Sequence, residues 1–370
     1  MGTWQGSDDA DRDFRYWDTV ATAREAYRDR VRLGFDGKTR ELSFDNLTVT
    51  LTAFRARARH GIERAVDMND GVPPTYIAYD VTDYEVITDA DGNVERDALS
   101  RPYVRPLGFE PHVLPLFLEG PVHALRTEVD LTNARELYSR VKSSPLYDEA
   151  LGMYKVNAPL NGEPHELGRC RAFTPGWLEN ESIWLHMEYK YLLEILRSGL
   201  YEEFYEDLER SLICLQDPAV YGRSPLENSS FLVSSAHPDA SLHGTGFVAR
   251  LTGATAEFLS IWHVMMFGQA PFFVQDDCLC LRFEPALPRW LFDEAGTVRA
   301  TFLGHTKVVY HNPNRVDVSP NRVSIAEMIL HVKDGATVDL SSSIIRAPYA
   351  AQVREGQIEQ IDVFLEQKGG

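Results

Sequence analysis

The chain has 370 residues and is 44% hydrophobic, which is enough for about two domains with a sizeable core. Its formal net charge is −18, and the acidic residues are spread along the chain rather than gathered in one tail. This balance argues against a nucleic-acid binder, because contacts to phosphate backbones need a basic surface. Aromatic residues make up 11% of the chain, a content that suits a sugar cleft and a large helical core equally well.

The spacing of the four cysteines does not indicate a metal site. Cys278 and Cys280 do not have the spacing of a zinc site, and no matching Cys/His pair lies near them. No targeting segment and no apolar run long enough to span a membrane is visible. The sequence therefore predicts free thiols, a cytoplasmic location, no metal and no membrane partner.

The first part of the chain alternates between helical and extended patterns. Apolar residues have helical spacing at 14–33 and 44–66. The Asn-Asp-Gly and Pro-Pro sequences within 67–76 predict a loop, and the alternation at 75–87 predicts a strand. From residue 111 onward helical spacing dominates, and it predicts helices at 111–126, 130–144, 179–199, 200–215 and 252–268.

After residue 271 the pattern changes to a period of two, which is typical of strands. We therefore predict two domains, one of helical hairpins over 1–271 and a small β-sandwich over 272–370. The hairpins have similar lengths, as in a toroid of paired helices. The predicted fold class is mainly α with a β domain.

The segment LENESIWLHMEYKYL begins with carboxylates and an amide and carries a histidine. On a helix over 179–199, His186 lies seven residues after Glu179, so both side chains share nearly the same face with Ser182. We expect this face to form one wall of a polar pocket. The spacing also allows a helix cap together with a hydrogen-bonded core histidine.

A second candidate is the start of the predicted helix at 252–268. Thr252 offers a hydroxyl, and Gly253 follows it at a helix N-terminus with free backbone N–H groups. Such groups bind anions. A plain N-cap is the alternative interpretation, since threonine is a good capping residue.

Two loops could also contribute. His237, Asp239 and His243 lie within a few residues, and a metal site there is conceivable, although a loop that lines a cleft is our expectation. Asp67 and Asp70 lie in an Asp-Met-Asn-Asp-Gly sequence, where a carboxylate could act as a general acid. An Asx turn is the alternative at that position.

Together these segments resemble the C-terminal part of the cellobiose phosphorylase family of inverting glycoside phosphorylases. The family has a Glu-Asn segment followed by a histidine, which matches Glu179 to His186 here. It also has Leu-Thr-Gly at the opening of a helix, which matches 251–253, and then a strand similar to LRFEPALPRW. Order and spacing match over about 160–320.

The resemblance implies a partial (α/α)6 toroid of the six-hairpin glycosidase type, followed by a C-terminal β-sandwich. It implies that inorganic phosphate cleaves a β-linked glucoside to glucose 1-phosphate, with no other cofactor. Phosphate binding would fall to His186, Thr252 and Gly253. General-acid catalysis would fall to Asp67, with Asp70 as the second candidate, although Met68 replaces the tryptophan of the family's loop.

The partners expected from this resemblance are an oligosaccharide and inorganic phosphate. Because family members carry further upstream segments, a homodimer or an upstream chain would complete the barrel. The residues expected to contact the sugar are Trp177, Glu179, Asn180, Glu181 and His237.

Two other functions remain open. A hydrolase on the same toroid would place water where phosphate lies, between two carboxylates such as Asp67 and Glu179 or Glu181. A non-enzymatic module would bind a glycan or a partner chain. An exposed apolar face on the helices at 14–66 would support the module.

Overall fold

The structure is a computed structural model that describes residues 10–248 and 252–368, and the side chains of residues 10–13 and of Thr252 lie outside the description. The chain divides into two compact units. One holds the described residues up to Ala124 together with Leu160–Pro164, and the other holds Leu125–Pro159 and the described residues from His165 onward.

Two helices and one antiparallel hairpin form the first unit: α1 (Ala10–Val31), α2 (Phe44–Asp67), β1 (Ile77–Val86) and β2 (Val104–Val113). The Ser43 hydroxyl caps α2 by accepting a hydrogen bond from the Asn46 N–H at 3.2 Å. Phe14 of α1 stacks on Phe109 of β2 at 4.0 Å between ring centroids. No residue of α2 is buried, so the core of this unit is small. Helix α3 (Glu119–Thr127) crosses the boundary between the units.

Helices dominate the first half of the second unit: α4 (Leu131–Lys142), α5 (Arg169–Ala172), α6 (Leu185–Arg197), α7 (Tyr201–Ser211), α8 (Pro218–Tyr221) and α9 (Thr252–Phe267), with α10 (Tyr349–Arg354) near the end. Asp130 caps α4 by accepting from the Thr132 and Asn133 N–H groups. Helix α6 packs against α7 and α9, and nine of its 13 residues are buried. Each fully buried leucine or isoleucine there stabilises the fold by roughly 1.5–3 kcal/mol.

Short strands lie between these helices: β3 (Tyr147–Asp148), β4 (Met153–Tyr154), β5 (Ile183–Trp184), β6 (Phe231–Leu232) and β7 (Gly246–Phe247). The strand β5, which directly precedes α6, forms a three-stranded antiparallel sheet with β6 and β7. Among the helices of the described residues, none has both the length and the apolar character needed to cross a membrane.

The last hundred residues are mainly strands: β8 (Phe272–Gln275), β9 (Cys278–Arg282), β10 (Thr297–Phe302), β11 (Thr306–His311), β12 (Val323–Val332), β13 (Thr337–Leu340), β14 (Ile344–Ile345) and β15 (Ile358–Gln367). They form a five-stranded sheet of order β10-β11-β15-β12-β13 and a three-stranded sheet of order β14-β9-β8. In the larger sheet β11 and β15 are parallel, with Val309 opposite Asp362.

The prediction of a mainly α fold with a partial (α/α)6 toroid is wrong. The structure is 36% helical and 25% strand, and three of its five sheets in the described residues lie within 1–271. In place of the predicted sandwich, the C-terminal part has a mixed five-stranded sheet beside the smaller one. Helical periodicity indicates which face of a helix is apolar, but it does not indicate which element packs against that face. A series of helical hairpins in the sequence therefore did not imply that the helices close into a toroid. The predicted boundary at 271/272 stays a prediction.

Candidate functional site

His186 lies in the first turn of α6 and contacts the first turn of α9. A Cβ atom built on Gly253 would lie 2.5 Å from His186 Nδ1 and 2.8 Å from its Cε1, so the imidazole fills the space that a side chain there would need. One turn further along α9, a Glu257 carboxylate oxygen lies 3.6 Å from His186 Nε2. The His186 side chain remains 34% exposed, so a ligand can reach the ring.

The first turn of α9 supplies backbone donors at the same place. The first four N–H groups of an α-helix have no partner within the helix, and they carry the positive end of the helix dipole. Thr252 begins this helix, but its hydroxyl lies outside the described side chains. The structure therefore brings together His186 and Gly253, for which the family resemblance implied a phosphate-binding role.

The residues just before α6 form a turn and a strand, not the first turns of a helix. The predicted helix at 179–199 begins at Leu185, six residues late, so Glu179 and Ser182 do not share a helical face with His186. The Asn180 side chain donates to the Phe173 carbonyl at 2.7 Å and holds the turn closed.

This turn contains backbone strain. Leu178 and Glu181 have φ angles of 49° and 56°, which non-glycine residues rarely adopt and which cost of order 1 kcal/mol or more each. Strain of this kind persists only where the surrounding contacts determine the conformation, and it is common at ligand sites. The turn is therefore held by tertiary contacts rather than by its own sequence.

A buried ion pair supplies the strongest of those contacts. Lys155 Nζ lies 3.0 Å from Glu181 Oε2, and the two side chains are 11% and 6% exposed. The backbone N–H of Glu181 donates to Asn157 Oδ1 at 2.6 Å. Sequence analysis missed Lys155 and Asn157, because a lysine and an asparagine between apolar residues carry no signal about their partner.

Two amide groups beside this pair are buried without a hydrogen-bond partner in the described part of the chain. They are the Oδ1 acceptor of Asn180 and the Nδ2 donor of Asn157. Both amides lie next to Glu181. Asn180 precedes it in the sequence, and Asn157 accepts a hydrogen bond from its backbone N–H. Buried polar groups are nearly always paired, so these two mark a polar wall that can accept further partners.

Glu179 has a different environment from Glu181. Its carboxylate lies 2.6 Å from an Arg169 guanidinium nitrogen, but that arginine is 77% exposed and Glu179 itself is 27% exposed. Exposed pairs of this kind contribute about 0–1 kcal/mol. Little free energy is therefore lost when the Glu179 carboxylate leaves Arg169 to bind a ligand.

Trp177 forms part of an aromatic cluster beside the same turn. Its ring lies 4.6 Å from Phe247 and 5.2 Å from Phe231, centroid to centroid, and 6.1 Å from the His237 ring. A Cβ on Gly176 would lie 2.6 Å from the His237 backbone nitrogen, so glycine permits this close approach. The structure thus brings Trp177 and His237 together, as expected of residues that share one surface.

The 237–243 loop is stabilised by its own hydrogen bonds. His237 Nδ1 accepts from the Asp239 N–H at 3.1 Å, and His243 Nε2 lies 2.8 Å from the His237 carbonyl oxygen. Within the described residues, no group of three or more His, Cys, Asp or Glu side chains is arranged to hold a metal ion. Because His237 Nδ1 accepts the Asp239 hydrogen bond, the ring hydrogen is assigned to Nε2, which is then a donor.

Asp67 and Asp70 belong to the first unit, whereas the other predicted site residues belong to the second. Asp67 ends α2, and Asp70 has a φ of 50° in the turn that follows. The Asn69 side chain closes this turn by donating to the Val72 carbonyl at 2.8 Å. Their catalytic role stays a prediction.

No protein-family model matches the chain, and no curated protein is significantly similar to it. The function is therefore argued from the geometry of the site.

Proposed function

We propose that the chain binds inorganic phosphate beside His186 and the N-terminus of α9 and uses it to cleave a β-linked glucoside to a sugar 1-phosphate. The observation that carries this proposal is the contact between His186 and Gly253. An imidazole and the N–H groups of a helix N-terminus can both donate to an anion, and the contact places the ring against the first turn of α9.

Glu257 is the negative charge that opposes an anion at this place. Its carboxylate lies on the Nε2 side of the ring, whereas Gly253 lies against Nδ1. When the imidazole is protonated, Nε2 can therefore pair with the carboxylate, and the positive charge of the ring adds to that of the helix N-terminus. Glu257 then orients the ring instead of displacing the ligand.

The sugar side of the proposal rests on the turn before α6. Trp177 offers an aromatic face, His237 an N–H donor and Glu179 a carboxylate whose present partner is exposed. A few placed polar groups beside aromatic side chains are typical of small-molecule sites. Asn180 and Glu181 shape the turn, and Asp67, with Asp70 as the second candidate, is the proposed general acid. A cytoplasmic location and a homodimer or an upstream chain as partner remain predictions.

Replacing His186 by alanine is expected to abolish phosphorolysis. The assay measures phosphate-dependent release of sugar 1-phosphate from β-linked gluco-oligosaccharides, and we expect a loss of at least about 100-fold in kcat/KM for phosphate. His123→Ala, on the exposed face of α3, is the matched control and should retain activity. Full activity in His186→Ala would overturn the phosphate site. Sugar release that needs no phosphate would favour the hydrolase.

Replacing Gly253 by alanine is expected to weaken phosphate binding at least tenfold without loss of stability. The added Cβ forces the His186 ring to move, whereas alanine favours the helix by about 0.5–1 kcal/mol relative to glycine. Phosphate affinity is measured by calorimetry and stability by thermal unfolding. Gly61→Ala is the control, since a Cβ at that glycine of α2 meets no atom within 4 Å. Equal phosphate affinity in Gly253→Ala and the natural chain would contradict the assignment.

One observation favours the second candidate function, a non-catalytic binding module. Large apolar side chains on α2 and just before it are exposed, among them Leu42 at 72%, Val49 at 69% and Phe54 at 59%. Exposed apolar groups of this size often mark an interaction surface. Binding of a β-glucan without turnover, with or without phosphate, would select the module over the enzyme.

A further inference from the structure

The C-terminal part of the chain contains a cavity whose lining shares no residue with the His186 site. Its volume is about 550 Å³, within the usual range for small-molecule sites. Four cationic side chains line it, from Arg289, Arg315, Arg322 and Lys368, and we call it the arginine pocket. Among the described residues that line it, Asp317 is the one acidic residue.

The charge of the arginine pocket is opposite to that of the chain. The whole chain has 37 lysines and arginines against 55 acidic residues, whereas the pocket has four cations against one carboxylate. Such a local reversal concentrates positive potential in a concave surface, which attracts anions. The net charge of the chain already favours solubility, so solubility does not explain this cluster of positive charge.

Two of the four cations have no ionic partner within residues 10–248 and 252–368. Arg322 pairs with the Glu202 carboxylate, and the Lys368 ammonium donates to the Pro320 carbonyl at 2.6 Å. The guanidinium groups of Arg289 and Arg315 lie within 4.0 Å of no carboxylate among the described residues. Their fork of N–H donors is therefore available, and it matches the geometry of phosphate oxygens.

The backbone that carries these arginines is well fixed. An Asp317 carboxylate oxygen accepts from the Arg289 N–H at 2.8 Å, which joins the two sides of the pocket. Next to it, Leu287 and Val318 exchange backbone hydrogen bonds of 2.7 and 2.8 Å. The Tyr205 hydroxyl donates to the Val318 carbonyl at 2.5 Å. The Asp317 carboxylate thus accepts a hydrogen bond from the backbone N–H of Arg289. Its single negative charge offsets only part of the positive charge of the four cationic side chains.

We propose that the arginine pocket binds a small polyanion that carries two or more phosphate groups. One phosphate group would bridge Arg289 and Arg315, and the second would lie toward Arg322 and Lys368. This site is separate from the phosphate bound at His186 in the proposed reaction and does not depend on it.

The test is calorimetric binding of pyrophosphate to the full chain carrying His186→Ala, which removes the other proposed anion site. The double variant Arg289→Gln/Arg315→Gln is expected to bind pyrophosphate at least tenfold more weakly. Arg299→Gln/Arg346→Gln is the matched control, because it removes the same charge from exposed positions of the same region. It should change the affinity less than twofold.

The conservative variant Arg289→Lys/Arg315→Lys keeps the charge but loses the guanidinium fork, and an intermediate affinity is expected from it. Three results would overturn the proposal. These are no binding of pyrophosphate at millimolar concentration, equal weakening in the two glutamine double variants, or citrate binding as tightly as pyrophosphate. The last result would assign the pocket to a carboxylate ligand.

Discussion

Replacing Lys155 by methionine is expected to lower the free energy of unfolding of the second unit by about 3 kcal/mol. The change leaves the Glu181 carboxylate, which is 6% exposed, without its cationic partner. Removal of one member of a buried ion pair typically costs about 3–5 kcal/mol, because the remaining charge stays desolvated. Urea denaturation followed by tryptophan fluorescence measures the loss.

Two further variants separate the buried charge from a general effect on the turn. Adding Glu181→Gln to Lys155→Met removes the stranded charge, so we expect it to restore at least half of the lost stability. Arg169→Met breaks the exposed pair with Glu179 in the same turn and should cost less than about 1 kcal/mol. A loss below about 1 kcal/mol in Lys155→Met, or an equal loss in Arg169→Met, would contradict the prediction.

The Lys155 variant also tests how the turn supports the site. Glu181 has a strained backbone, and its ion pair is one of the contacts that hold this conformation. Without it, the turn that presents Trp177 and Glu179 is expected to relax. We therefore expect the KM for the glucoside to rise in Lys155→Met, while phosphate affinity at His186 changes little.

Stability is expected to fall as the pH rises from 5 to 8, because of Glu188. Complete burial raises the pKa of this carboxyl to about 8, against the lowering effect of hydrogen bonds from the Ser211 hydroxyl at 2.6 Å and the Tyr154 N–H at 2.9 Å. Between the unfolded pKa near 4.5 and the folded value, the folded chain holds a proton that the unfolded chain releases. Linkage then makes the folded state less stable with each pH unit, by at most about 1.4 kcal/mol.

The variant Glu188→Gln isolates this contribution. A glutamine amide can accept from the Tyr154 N–H through its oxygen, and its nitrogen can donate to the Ser211 hydroxyl oxygen once that hydroxyl rotates. Urea denaturation from pH 5 to 8 should show that Glu188→Gln gains stability relative to the natural chain, on the order of 4 kcal/mol at most over this range. Burial also raises the pKa of Asp207, which adds a fall of the same sign to both proteins.

The control for this experiment is Glu136→Gln, which removes a carboxylate from the exposed face of α4. Its stability should follow the natural chain at every pH. A Glu188→Gln curve parallel to that of the natural chain would mean that Glu188 is ionised in the folded state at neutral pH, and it would contradict the prediction.

Local sequence patterns predicted many of the elements. The predicted helices at 14–33, 44–66 and 130–144 and the strand at 75–87 correspond to α1, α2, α4 and β1 within a few residues. Helical spacing, alternation and capping act between residues that are close in sequence, so they can be recognised there. The predicted helix at 111–126 was partly wrong, since its first residues continue β2 and the helix begins at Glu119.

The role of the candidate site residues stays a prediction. His186 and Gly253 were both named from the sequence, but their contact follows from the packing of α6 against α9, which no local pattern records. The turn before α6 was predicted as helix, because its carboxylates resemble those of a helix start. Its extended and left-handed backbone depends on Lys155 and Asn157, which come from a distant segment.

The sequence alone determined where most helices and strands lie, which faces of them are apolar, and which residue types could bind an anion or a sugar. Only the tertiary structure decided that the helices do not close into a toroid, that β11 and β15 are parallel, and that Arg289 and Arg315 line one cavity. The physical reason is the separation in sequence between the residues that interact. Periodicity and caps depend on a few neighbouring residues, whereas burial and ion pairing depend on the partners that folding brings together from distant parts of the chain.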